Sequence, residues 1–139
     1  MIGFLSYQPK KSGVIDMPPF SNEKTNYAKG VDAEGQAALY LEERGFQILS
    51  RRYKTKFGEI DLVIKKGNLI CFVEVKRRAS LEEALASITP RNRQRIEQSA
   101  LYFGVDFPEY AACDLRFDVI AITGDGRITH LDNAWLAGA

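Results

Sequence analysis

The chain predicts an α/β domain in which a mixed central β-sheet is flanked by helices. Three observations lead there. Two β-prone runs, Gly58 to Ile64 and Leu69 to Arg77, meet at Gly67-Asn68, a dipeptide suited to a hairpin tip. Stretches with helical apolar spacing and helix start or stop signals lie on both sides of that hairpin. A further strand pair, Leu115 to Ile122 and Arg127 to Leu131, follows around the turn Gly124-Asp125-Gly126.

Taken in order, residues 1–27 are polar and interrupted by Pro9, Pro18 and Pro19, which predicts a flexible N-terminal arm ahead of a single domain over 28–139. The first helix should begin at Val31 or Asp32, run to Arg44 and stop at Gly45, with Ala37, Ala38 and Leu41 on its apolar side. Glu34 falls in its first turn, where the helix dipole favours a carboxylate without any further duty. Phe46 to Tyr53 reads as the next strand. After the hairpin, Ser80 and Glu83 stand at capping-box spacing. Thr89-Pro90 opens a basic helix expected to end at Phe103-Gly104, with Ile96, Ala100 and Phe103 inward and the arginines exposed. Trp135, the single tryptophan, should anchor the C-terminal segment.

Centring the hairpin on Gly67-Asn68 pairs residues whose numbers sum to 135. That register sets Asp61 opposite Glu74 and Glu59 opposite Lys76, with Ile60, Leu62 and Ile64 meeting Val75, Val73 and Cys71 on an apolar face. Opposed side chains in an antiparallel pair have Cβ atoms roughly 4.5–5.5 Å apart, and like charges there are destabilising unless neutralised. A structural face would use Glu59 and Lys76 as a cross-strand salt bridge and leave Asp61 and Glu74 exposed beside it. The opposition of Asp61 to Glu74 favours a site instead, because a divalent cation would neutralise it. Mg²⁺ prefers one or two carboxylates plus water and phosphate, and a backbone carbonyl such as that of Val75 would complete the protein ligands. Lys76, about 6–7 Å along the strand from Glu74, is placed to assist metal-dependent phosphodiester hydrolysis.

An acidic residue on a first helix, an Asp on one strand and Glu-x-Lys on the next resemble the signature of the PD-(D/E)XK nuclease superfamily. More specifically, the chain resembles the YraN family of bacterial endonuclease-like proteins, similar in their core to archaeal Holliday junction resolvases. The likeness runs from about Gly30 to Trp135. It rests on Gly30 through Leu41, Gly58 through Val63, Phe72 through Arg77, Thr89 through Ile96 and Arg116-Phe117-Asp118-Val119-Ile120. It implies a restriction-endonuclease-like core, Asp61 and Glu74 as Mg²⁺ or Mn²⁺ ligands, Lys76 as catalytic lysine and Glu34 as an additional acid. The family usually places Lys after Thr-Pro-Arg, where this chain has Asn92. A non-catalytic nucleic-acid-binding or adaptor protein retaining the fold is the alternative, and Asp118 stays outside the catalytic set. Symmetric branched DNA would need two sites, hence a homodimer.

Composition bounds these readings. A chain of 139 residues suits one domain with a sizeable core, and 45% hydrophobic with 27% charged residues excludes general disorder. No apolar stretch is long enough for a membrane span, and the apolar start at Met1 to Leu5 is broken by Ser6, Gln8 and Lys10, so a cytoplasmic protein is expected. Cys71, Cys113 and the single His130 leave little material for zinc or for Ser-His and Cys-His chemistry; His130 reads as an ordinary strand-end residue and the cysteines as free thiols. Net charge is +1, so any nucleic-acid signal must be local. Arg51, Arg52 and Lys54 with Lys56 lead into the carboxylates, Arg77 and Arg78 leave them, and Arg91 and Arg95 with Arg93 follow. Each alone is ordinary surface; as a set they frame the carboxylates and point to nucleic acid, DNA by preference.

Overall fold

The computed structural model describes residues 32–138; the expected arm at 1–27 lies outside the described residues. Helix α1 (Ala33–Glu43) is followed by β1 (Gln47–Thr55), β2 (Gly58–Lys66) and β3 (Leu69–Arg77), then by α2 (Leu81–Ala86), α3 (Pro90–Asp106), a 3₁₀ turn at Pro108–Tyr110, β4 (Asp114–Ile122) and β5 (Ile128–Trp135). The five strands lie in sequence order in one sheet. β1, β2 and β3 are antiparallel neighbours, β3 and β4 are parallel through the α2–α3 crossover, and β5 returns antiparallel. The mixed sheet flanked by helices has the architecture of a restriction-endonuclease-like PD-(D/E)XK core.

Both faces of the sheet are covered. Ala37, Ala38 and Leu41 of α1 pack on Leu62, Ile64, Cys71, Val73, Ile120 and Ile122. Ile96, Ala100 and Phe103 of α3 pack on Ile60, Val63, Ile70, Phe72, Phe117 and Val119. The sequence expectation of one apolar and one charged hairpin face is therefore corrected: β3 is near-continuously apolar because helices bury it from both sides, as parallel crossovers require.

The helix ends follow local chemistry. Gly45, at φ +93°, closes α1, with the Gly45 and Phe46 N–H groups bonded to Glu42 and Leu41 carbonyls. Ser80 accepts the Glu83 N–H at 3.2 Å. Thr89 and Asn92 form a reciprocal capping box at the start of α3. Helix α3 continues past Gly104 to Asp106 rather than stopping there. Tertiary packing decides this: Phe103 and Phe107 are both buried with ring centroids 4.6 Å apart, and the Tyr53 hydroxyl donates to Asp106 at 2.5 Å. Likewise β5 runs past Leu131 to Trp135, whose ring stacks on Phe117 at 5.2 Å and whose Nε1–H donates to Glu97 at 2.9 Å, so the anchoring expected of Trp135 is seen. Cys71 and Cys113 are free thiols, and burial pushes the Cys71 thiol up to about 12. No helix among the described residues is long and apolar enough to cross a membrane.

Asp118 is fully buried at a break in the β4–β5 ladder. Arg116 donates to both its oxygens at 2.9 Å, the Asn133 N–H reaches Oδ1 at 3.0 Å, and His130 Nε2 lies 2.7 Å from Oδ2. Burial alone would raise this carboxyl; His130, Arg116 and Asn133 overcome it and hold it at about 2. His130, within β5 opposite Ile120, is thus a carboxylate partner, not the ordinary strand-end residue expected. Asp118→Ala leaves the half-buried Arg116 and the Asn133 N–H without their acceptor, and should lower the unfolding free energy by about 3 kcal/mol in urea titrations.

Candidate active site

The hairpin register holds from Lys66↔Leu69 to Leu62↔Val73, as turn-centred pairing requires, and then ends. Beyond that point β2 stays with β1, through Ile60↔Tyr53 and Glu59↔Lys54, while β3 stays with β4, through Glu74↔Val119 to Arg77↔Ile122. The sheet forks. Asp61 spans the fork, its Oδ2 accepting the Val75 N–H at 2.8 Å and replacing the missing ladder bond. Side-chain alternation slips at Asp61: Leu62 enters the α1 cluster, whereas Ile60 enters the α3 cluster. The expected Ile60–Val75 and Glu59–Lys76 oppositions are consequently absent, and Glu59 faces Lys54 instead.

Asp61 and Glu74 nevertheless come together, near enough for the Glu74 charge to act on Asp61. Burial, then the Glu74 charge, then Glu34 push the Asp61 carboxyl up to about 7, against the Val75 N–H and Lys76. Burial also raises the Glu74 carboxyl, despite Lys76 Nζ lying 3.2 Å from its Oε2. Lys76 and Glu74 expose only 19% and 14% of their side chains, so this pair is shielded from screening by solvent.

Glu34 projects from the first turn of α1 and accepts the Arg52 Nε–H at 2.8 Å. It is close enough to raise both site carboxyls, yet its own counter-ion is Arg52. Arg52 stands between the register pairs Arg51↔Leu62 and Tyr53↔Ile60, hence across from Asp61, and adopts φ +56°. A non-glycine residue in that region is strained by roughly 1 kcal/mol or more. The hydrogen bond and charge of Glu34 raise the Arg52 guanidinium, with further help from Glu59 and Asp61. The pairing of Arg52 with Glu34 was not legible in the sequence, because a positive φ at an arginine has no local signature.

Among the described residues, no group of three or more His, Cys, Asp or Glu is arranged to hold a metal ion. What the fork offers is two half-buried, hard oxygen donors of like charge, a repulsion that a cation between them would relieve. That donor set suits Mg²⁺ or Mn²⁺ and excludes a thiolate or imidazole site. Val75 enters through its N–H, which orients Asp61.

Of the expected nucleic-acid contacts, Arg51, Lys54, Arg78, Arg91 and Arg95 are exposed, and Arg52 is committed to Glu34. Arg77 is half-buried, and its Nε and Nη2 are buried without a hydrogen-bond partner. Asn92 is explained by capping: its Oδ1 accepts from the Thr89 N–H at 3.4 Å and Oγ1 at 3.1 Å.

The family model described as "Uncharacterised protein family UPF0102" matches residues 33–122, which span α1 through β4 and every residue of the fork. The chain belongs to the UPF0102 family. UPF0102 proteins are related to PD-(D/E)XK-like nuclease superfamily proteins such as YraN. A UPF0102 protein of Rhodopseudomonas palustris (strain BisA53) is 42% identical over 114 residues, covering 82% of this chain and 88% of the relative. One of Paramagnetospirillum magneticum is 41% identical over 122 residues, covering 85% and 95%. One of Bradyrhizobium diazoefficiens is 48% identical over 96 residues, covering 69% and 72%. Among solved structures, a chain of the CdiA-CT/CdiI toxin and immunity complex from Burkholderia pseudomallei is similar at 17% identity and a TM-score of 0.39, covering 87% of this chain and 97% of that one.

A carboxyl raised in the folded state stabilises below its unfolded value near 4 and loses that contribution as pH rises through about 7. Asp61→Asn removes the charge and keeps an oxygen for the Val75 N–H. In chelator, this UPF0102 variant should be more stable than wild type at pH 8 by on the order of 1–3 kcal/mol, the gain vanishing toward pH 4. Urea unfolding across that range checks it; equal gains at both ends would place the effect outside the Asp61 charge.

Proposed function

We propose that the fork is the catalytic centre of a divalent-metal-dependent endonuclease acting on DNA. The observation that carries this reading is the approach of half-buried Asp61 and Glu74 beside Lys76 where the two strands diverge. A fold maintained for stability alone has no use for two adjacent carboxyls that burial makes costly to ionise. Asp61 and Glu74 would hold the ion, with Asp61 aimed by the Val75 N–H. A bound Mg²⁺ or Mn²⁺ supplies Lewis-acid polarisation of a phosphate and a water acidic enough to attack it.

The remaining roles fall to this chain's own groups. Lys76, paired with Glu74 at 3.2 Å, places an ammonium where negative charge grows on a phosphate. Glu34 acts through its charge on both carboxyls while Arg52 holds it. Arg51, Lys54, Arg78, Arg91 and Arg95 supply neutralising charge for a backbone.

A second reading, a nucleic-acid-binding protein without turnover, draws on one observation: Glu34 is tied to Arg52, and among the described residues no third metal ligand joins the pair. Cleavage of labelled single-stranded, duplex, flap and four-way-junction DNAs with Mg²⁺ or Mn²⁺ separates the two. The nuclease reading expects product from wild type, with Glu74→Gln and Lys76→Ala each slower on the order of 10²-fold or more. Binding to the same DNAs with no product on any of them would leave the second reading standing.

A further inference from the structure

We infer that the β1–β2 turn and the outer face of α3 form a stacking platform for an unpaired base of single-stranded nucleic acid. The inference deepens the nucleic-acid reading above by naming the substrate form. Phe57, in the turn, and Tyr102, on α3, meet edge to face with centroids 5.7 Å apart, and Tyr102 is 37% exposed. Lys56 Nζ stands 5.4 Å from the Phe57 centroid and 5.9 Å from that of Tyr102. Arg95 is exposed on the same helix, its Cβ 3.6 Å from where a Cβ on Gly58 would sit, and Arg91 lies one turn before it. Among the described residues, Lys56, Arg91 and Arg95 have no carboxylate partner, and the Tyr102 hydroxyl has no hydrogen-bond partner.

Anchoring the turn does not explain these rings, because Thr55 already does so. Its Oγ1 bonds Ser99 Oγ at 2.8 Å, the Gly58 carbonyl at 3.2 Å and the Phe57 N–H at 3.0 Å. Aromatic faces flanked by unpaired cations match the chemistry of a nucleic-acid strand, in which an unpaired base stacks while its phosphates meet Lys and Arg. A duplex keeps its bases stacked on one another and offers only phosphates to such a patch. Phe57 precedes Asp61 by four residues, roughly 13 Å of extended chain, so a strand seated on the rings passes within a few nucleotides of the fork.

The test is equilibrium binding of the full chain in EDTA, which separates binding from any cleavage, to fluorescent oligonucleotides: a single strand, an abasic strand of equal length and a blunt duplex. Phe57→Ala and Tyr102→Ala should each weaken single-strand binding by about tenfold while changing abasic-strand and duplex binding by less than about twofold. Phe57→Leu and Tyr102→Leu, which keep apolar bulk on the turn, should show the same selective loss and guard against misfolding. Lys56→Gln should weaken binding to both the single and the abasic strand and reduce the slope of log affinity against log salt by about 0.7. Wild-type affinity for the single strand in the leucine variants, an equal loss on all three probes, or no single-strand binding by wild type would each overturn the platform. Single-strand binding that depends on the rings, with no product under any metal, would instead sink the nuclease reading and leave the platform intact.

Discussion

A single hydrogen bond organises the centre of this molecule: the Val75 N–H donated to the Asp61 carboxylate at 2.8 Å. Strand β3 cannot pair with β2 and β4 along its whole length while β2 also bends toward β1. Where the β2–β3 ladder stops at Leu62↔Val73, a buried N–H would be orphaned. Asp61 satisfies it and so permits the two strands to part. The parted strands make the fork, and the residue that bridges the fork is also the first carboxylate at it.

The cost of that arrangement is electrostatic. Asp61, Glu74 and Glu34 share one neighbourhood: Glu74 and Glu34 raise the cost of ionising Asp61, and Glu34 raises that of Glu74. Two cations limit the cost, Lys76 on Glu74 and Arg52 on Glu34. Arg52 accepts a strained backbone at φ +56° to reach that position.

Asp118 shows what the same fold does with a carboxylate kept for stability. It also sits where a ladder breaks, and it also accepts a backbone N–H across the gap, from Asn133 at φ +53°. Arg116 and His130 complete its hydrogen bonding, and its carboxyl falls to about 2. Asp61 has one N–H and two acidic neighbours, and its carboxyl rises to about 7. Equal residue types in equal strand contexts thus part into a carboxylate held well below its ordinary value and one pushed well above it, and the difference lies in the donors and charges around each.

Much of this was legible in the residues. The turn at Gly67-Asn68 set the register through Leu62↔Val73, because a hairpin tip and period-two alternation leave one pairing that buries the apolar set. The Gly45 stop, the Ser80 and Thr89 caps and the Asp61, Glu74 and Lys76 grouping follow from chemistry local to a few residues. The fork, the slip of Ile60 to the α3 face, the Arg52–Glu34 pair, the extension of α3 past Gly104 and the burial of His130 against Asp118 do not. Each depends on which distant element covers a face or leaves a backbone group unpaired, and that is decided only when the sheet and its two helical layers close on one another. Sequence alone determined which ionisable groups the chain brings to the sheet; tertiary packing decided which of them are fully hydrogen-bonded and which are buried beside like charge.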